Sequence, residues 1–155
     1  MPNYTVKNVK NFLGREGHGF NATLYRDGVK VAFVRDMADG GPIRYEWEGG
    51  TEEVVFGLHA KAQPPVTFGA GHTLPMSADI FMSRLVDDSQ FKKKLAAGLK
   101  KRTYFIHDNQ CFSNKNAFTP AVSTALSQRY PGVVFLNSLP IDEAYQLYAQ
   151  HAVKY

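Results

Sequence analysis

The stretch FKKKLAAGLKKR, residues 91–102, gathers six of the chain's 18 basic residues: Lys92, Lys93, Lys94, Lys100, Lys101 and Arg102. Wound as a helix, it puts Phe91, Leu95 and Leu99 on one apolar stripe. Lys93 and Lys100 fall almost opposite that stripe, with Lys94 and Lys101 in a row beside them. Two rungs of cations then stand about 10 Å apart along the axis. Such rungs suit the phosphates of a polyanion backbone, which gives affinity without reading sequence. The structural alternative has the lysines solvating an outer face, with Lys100, Lys101 and Arg102 complementing the negative C-terminal end of the helix.

A second candidate is GREGHGFNATLYRDG, residues 14–28, with four glycines, an Arg-Glu pair and His18. A glycine-rich loop can cradle phosphate, but that use calls for a Gly-Lys-Ser/Thr ending or a following helix. Here strand-like residues follow, so the glycines are expected to reverse the chain. None of the five histidines shows the His-x-x-x-His spacing of a zinc motif. His18 and His107 are a conceivable general base and acid of a metal-free nuclease or hydrolase, provided the fold brings them together. Cys111, four residues after His107, needs an adjacent imidazole to become a nucleophile, and the alternative is a half-buried structural thiol. Asp36, Asp39 and Glu46 lie near one turn, but their spacing fits no calcium loop. No catalytic residue, metal ligand or cofactor is assigned from these patterns, which lean away from an enzyme.

The bulk numbers frame these candidates. A chain of 155 residues, 44% hydrophobic and 21% charged, fits a globular domain. We expect a single domain, residues 1–155, with a β-meander over 1–50 and a mainly helical part over 51–155. No apolar run approaches a membrane span, and MPNYTVKNVK has no apolar signal core. The single cysteine excludes an internal disulfide framework. A cytoplasmic protein without membrane association is expected. Charge is uneven: residues 1–88 carry 9 Lys/Arg against 11 Asp/Glu, whereas residues 89–141 carry 8 against Asp108 alone. That asymmetry favours a polyanionic partner, and nucleic acid is one such class.

Elements follow from periodicity and turn chemistry. Asp27-Gly28 signals a type I′ hairpin pairing Arg26 with Val29, Leu24 with Val31 and Ala22 with Phe33. Phe20, Ala22, Leu24, Val29, Val31 and Phe33 would form the buried face, and Tyr25 would share the other. Asp39-Gly40-Gly41-Pro42 turns the chain into Ile43, Tyr45 and Trp47, and residues 4–13 add a poorly alternating strand. The seven aromatic residues Tyr4, Tyr25, Tyr45, Trp47, Tyr145, Tyr148 and Tyr155 are too many for a core to bury, so some are expected at an interface. A helix starts after Thr51 and ends before Pro64-Pro65. VTFGAGHT, 66–73, reads as a loop. A helix from about Ser77 breaks at Asp87-Asp88-Ser89, and a second runs over roughly 89–101. A strand at 104–107 comes next, then a helix opened by Thr119-Pro120, a short strand at 133–136, and a terminal helix from Pro140 with Ile141, Ala144, Leu147 and Tyr148 inward. The fold class is α+β: an antiparallel meander of three or four strands, then helices with one or two short strands.

The run GREGHGFNATLYRDGVKVAFVRDMADGG resembles the start of a family of small uncharacterised proteins of phages, prophages and related mobile elements. The shared pattern GxxGxGFNAxLYxDGxKVAxV coincides with the hairpin above. Thr119-Pro120-Ala121-Val122 and Arg129-Tyr130-Pro131-Gly132 are similar to that family's closing helix. The resemblance implies a mobile-element origin, an accessory role and a host macromolecule as partner. A host protein, including a defence component to be inhibited, is the first expectation. A sequence-nonspecific nucleic-acid binder using the basic helix is the alternative, and a small metal-independent nuclease or hydrolase is the third. The resemblance carries over no catalytic residue.

Overall fold

The computed structural model describes residues 2–151, so Tyr155 lies outside the described residues. By its internal contacts the chain divides into two compact units, one ending at Gln90 and the other beginning at Phe91. The fold is α+β, with a four-stranded antiparallel meander first, then helices and further short strands.

In the first unit β1 (Tyr4–Gly14), β2 (Gly17–Arg26), β3 (Val29–Asp36) and β4 (Arg44–Trp47) pair antiparallel in chain order. Asp27 and Gly28 both take positive φ, 51° and 83°, as a type I′ turn demands. Arg26 pairs with Val29 and Tyr25 with Lys30, but Leu24 then faces Ala32 instead of Val31. Val31 is therefore an extra, bulged residue, and beyond it the alternation of β3 is inverted. This corrects the expected face: Val31, Ala32 and Val34 are buried, Phe33 turns to the other side, and Val29 is 66% exposed. A second register shift lies between Lys7 and Lys10, where Asn8 takes φ 56°, and accounts for the weak alternation of β1. The chain reverses at Arg15-Glu16, so Gly17 and Gly19 belong to β2. Gly19 is there for closeness: a Cβ would stand 2.3 Å from the Asp36 carbonyl oxygen and 2.7 Å from the Phe12 ring.

The buried face of the meander packs on α1 (Glu52–Lys61) and on the first part of α2 (Ala78–Leu99). Phe56 is the hub, with ring centroids of Tyr4, Trp47 and Phe81 at 5.0, 5.7 and 5.5 Å. Two polar ties fix the helices. Glu52 accepts two bonds from Arg26, at 2.6 and 3.0 Å. Asp79 accepts the Tyr45 hydroxyl at 2.9 Å and the Ile43 amide at 3.2 Å. Residues 66–73 are not a plain loop: β5 (Val66–Phe68) and β6 (His72–Leu74) form a small ribbon, turned by Gly69 and Gly71 at positive φ. The expected break at Asp87-Asp88-Ser89 is absent, and α2 is continuous. Asp and Ser in a helix interior cost only tenths of a kcal/mol each, and no Pro or Gly interrupts this stretch.

The second unit contains the end of α2, β7 (Thr103–His107), β8 (Gln110–Asn114), α3 (Pro120–Arg129), β9 (Val134–Phe135) and α4 (Ile141–His151). Its antiparallel sheet has the order β8-β7-β9. Asp108 and Asn109, at φ 50° and 59°, make the β7–β8 turn, so the polar segment after His107 opens a strand. Leu95, Ile106, Leu136 and Ala144 form the core, with Tyr104, Cys111 and Tyr148 against them. Phe105, Phe112, Tyr130 and Phe135 form a separate ring cluster. Thr119 caps α3 by accepting from the Val122 amide at 3.2 Å. The strand expected at 133–136 is only two residues long, because Leu136 starts a 3-10 turn.

Two glycines separate tight packing from mere permissiveness. Gly19→Ala should lower the stability of the chain by about 2 kcal/mol or more, since backbone and ring must both yield. Gly57→Ala, in the interior of α1 with open space around its Cβ, should raise it by roughly 0.5–1 kcal/mol. Urea unfolding midpoints of the two variants test both signs. Arg26 holds the Glu52 carboxyl below the usual glutamate range, chiefly through their hydrogen bonds. That carboxylate therefore adds stability above the ordinary glutamate value, and the contribution is lost as pH falls through the lowered folded value. Glu52→Gln should flatten this acid limb in unfolding measured from pH 7 to pH 3.

Candidate functional site

The end of α2 supplies the strongest candidate surface. The helix stops at Leu99, so Lys100, Lys101 and Arg102 lie in the following turn, where the Lys101 and Arg102 amides both bond the Gly98 carbonyl. The helical two-rung arrangement therefore does not form: Lys93 and Lys94 sit on the helix, and the other three cations sit on a turn beyond it. Asn137 holds that turn. Its side-chain amide donates to the Leu99 and Arg102 carbonyls at 2.8 Å, while its oxygen accepts from the Tyr104 amide. Lys92 leaves the set, since its ammonium lies 2.7 Å from Asp142 and over the Tyr145 ring. Lys93, Lys94, Lys100, Lys101 and Arg102 are exposed, with no carboxylate partner among the described residues.

Phe91 also departs from expectation. Leu95 is 5% exposed and Leu99 packs beside it, but Phe91 is 55% exposed. The second core ends one helical turn short of it. The unit boundary at 90/91 nearly coincides with the charge boundary. Residues 1–90 carry 9 Lys/Arg against 11 Asp/Glu, and residues 91–155 carry 9 against 3.

The first unit holds two adjoining grooves along α2. One, of about 510 Å³, is walled by His18, Gly19 and Phe20 on one side and by Ser83, Asp87 and Gln90 on the other. The next, of about 470 Å³, shares Asp36, Ser83 and Asp87 with it and extends toward Ile43 and Asp79. His18, Ser83 and Asp87 are the residue types of an acyl-transfer triad, yet no hydrogen bond joins any two of them. Burial, and then neighbouring Asp88, push the Asp87 carboxyl up, which makes it a weaker acid and its carboxylate a stronger proton acceptor. Asp79 is committed to Tyr45, whose phenol is pushed far up by burial and by that bond.

The other candidates are engaged locally. His18 belongs to the first unit and His107 to the second. The His107 ring lies against Tyr130, with its Nδ1 3.4 Å from Asp108. Cys111 pairs with Ile106, whereas His107 pairs with Gln110, so thiol and imidazole belong to opposite faces of the hairpin. Burial alone raises the Cys111 thiol, the reverse of what a nucleophile needs. Asp36 accepts the Ala38 amide, while Asp39 accepts the Gly41 amide and faces Arg44 at 3.4 Å. These carboxylates shape turns. Among the described residues no group of three or more His, Cys, Asp or Glu side chains could hold a metal ion, and no helix is long and apolar enough to cross a membrane.

Of the aromatic residues, Tyr4, Tyr45 and Trp47 pack on the first core. The opposite face of the meander carries Lys7 over Tyr25 and Arg35 over Phe33, at 4.8 and 5.4 Å. No protein-family model, curated protein or solved structure matches the chain.

Because its thiol is raised, Cys111 should be alkylated by iodoacetamide more slowly than free cysteine at every pH from 7 to 9. The midpoint of its rate–pH curve should lie above that of free cysteine. A midpoint below the free value would restore the nucleophile reading.

Proposed function

We propose that this is a non-enzymatic accessory protein of a phage or related mobile element that acts by binding a host macromolecule. The target class its geometry favours is nucleic acid, met through the phosphate backbone. One observation carries this: Lys93, Lys94, Lys100, Lys101 and Arg102 are exposed, unpaired and clustered around the end of one helix. A polyanion carries condensed small counterions, and lysines that take their place on the phosphates release them, which drives association. The Asn137 bonds fix the backbone of the turn, so less ordering is required when phosphates are engaged. Contacts of this kind read no base sequence.

Lys93→Glu combined with Lys100→Glu should shorten retention on heparin and weaken nucleic-acid binding at low salt by more than about tenfold. The dependence of log affinity on log salt should fall by roughly one to two units, since about two phosphate contacts are lost. Unchanged retention and unchanged affinity would remove nucleic acid as the target. A host protein, such as a defence component held inactive, would then be the remaining reading.

A further inference from the structure

We infer that the nucleic acid this surface takes is single-stranded, with Phe91 as the platform on which an unpaired base stacks. The inference rests on the polyanion reading above and adds the class of nucleic acid. Phe91 and Phe112 are the aromatic members among the exposed large hydrophobic residues. Phe112 is stacked within its own cluster, 5.5 Å from Phe105 and 6.5 Å from Tyr130. Phe91 touches no other ring among the described residues. Its neighbour is the Lys94 ammonium, 5.9 Å from the ring centroid.

An exposed aromatic ring with the Lys94 ammonium against it combines the two components that hold single strands: a stacking surface for a base and a cation for a flanking phosphate. Lys94 follows Phe91 at three residues, about 4.5 Å farther along the axis and on the adjoining side of the helix, whereas Lys93 lies nearly opposite the ring. The ring and its nearest phosphate partner therefore come from less than one helical turn. A duplex offers the same phosphates, but its bases are paired and stacked inside, closed to a side chain on a helix surface. Single strands present free base faces, and every base has one, so the preference is for strandedness and not for sequence. A protein partner fits this position less well, because an apolar patch here would bury the ring among unpaired lysines, and interface cores are depleted in lysine.

The test uses the full chain and labelled oligo(dT), oligo(U) and a duplex, each of about twenty nucleotides, in low salt. The wild type should bind both single strands more tightly than the duplex. Phe91→Ala should weaken the single strands roughly tenfold and the duplex by less than about twofold, the range expected for one stacked base. Phe91→Leu keeps apolar bulk without a π-face and should match the alanine variant. Phe91→Trp should keep single-strand affinity, and its added fluorescence should be quenched by oligo(dT), with Trp47 in the wild type as the reference. Single-strand affinity unchanged in Phe91→Ala, equal losses for both strandedness classes, or full affinity in Phe91→Leu would overturn the inference while leaving polyanion binding intact. Wild-type protein that binds neither form would remove both. Preference of oligo(U) over oligo(dT), or the reverse, distinguishes RNA from DNA as the source of the same chemistry. Urea midpoints of the Phe91 variants matching the wild type confirm that the exposed ring is dispensable for folding.

Discussion

Val31 and Ala32 are consecutive strand residues and both are buried, which ordinary alternation forbids. The bulge at Val31 makes this possible, and the first unit depends on it. Beyond the bulge Ala32 and Val34 point toward Phe56 and the helices, and Phe33 points away beneath Arg35. Without the extra residue, Phe33 would enter a core already centred on the Phe56 ring, and Ala32 and Val34 would leave it. Small residues at 22 and 32 give α1 room to approach, and Gly19 lets the β3 end close over β2. Placement of Asp36 beside the α2 grooves follows from the same register.

The second unit is organised by one polar side chain. Asn137 pairs with the β7 backbone at Tyr104, with the Leu99 carbonyl that ends α2 and with the Arg102 carbonyl of the turn after it. Helix ends leave carbonyls without partners, and here a single amide satisfies one of them, at Leu99, and the Arg102 carbonyl of the turn, joining helix, turn and strand. Gly98 lets this happen, because a Cβ there would stand 2.6 Å from the Tyr104 hydroxyl. The turn carrying Lys100, Lys101 and Arg102 is thus anchored at both ends, and its charges project from a fixed backbone.

Turn chemistry was the most legible part of the sequence. Asp27-Gly28, Thr119-Pro120 and Pro131-Gly132 each specify backbone angles or a missing donor locally, and the chain obeys them. The faces of α4 also follow its periodicity. What could not be read depends on partners distant in sequence. The Val31 bulge leaves no mark beyond two adjacent apolar residues. Phe91 has the right helical phase for the core, but burial requires something opposite it. Asp108-Asn109 carried a hairpin signal of the same kind as Asp27-Gly28, and Phe105-Ile106 and Cys111-Phe112 flank it, so β8 was within reach. At Asp87-Asp88-Ser89 local propensity points to a break, which packing of Met82 and Val86 overrides. Among candidate residues, the basic composition of 91–102 was plain, whereas the removal of Lys92 by Asp142 and the end of the helix at Leu99 were not.

The neighbours of Lys93 and Lys94 leave their charge uncompensated by local sequence. A helix can neutralise a lysine cheaply with a carboxylate four residues away. Asp88 stands four before Lys92, but Ser89 and Gln90 stand four before Lys93 and Lys94, and the residues four beyond all three are Ala96, Ala97 and Gly98. Lys92 pairs with Asp142 on α4, and the other cations of this set find no carboxylate among the described residues. Mutual repulsion among five such charges weakens the folded unit at low salt and falls as salt screens it. The same screening weakens attraction to phosphate. Such a surface therefore repels itself most in low salt, the same condition in which the polyanion proposed above would be attracted most strongly.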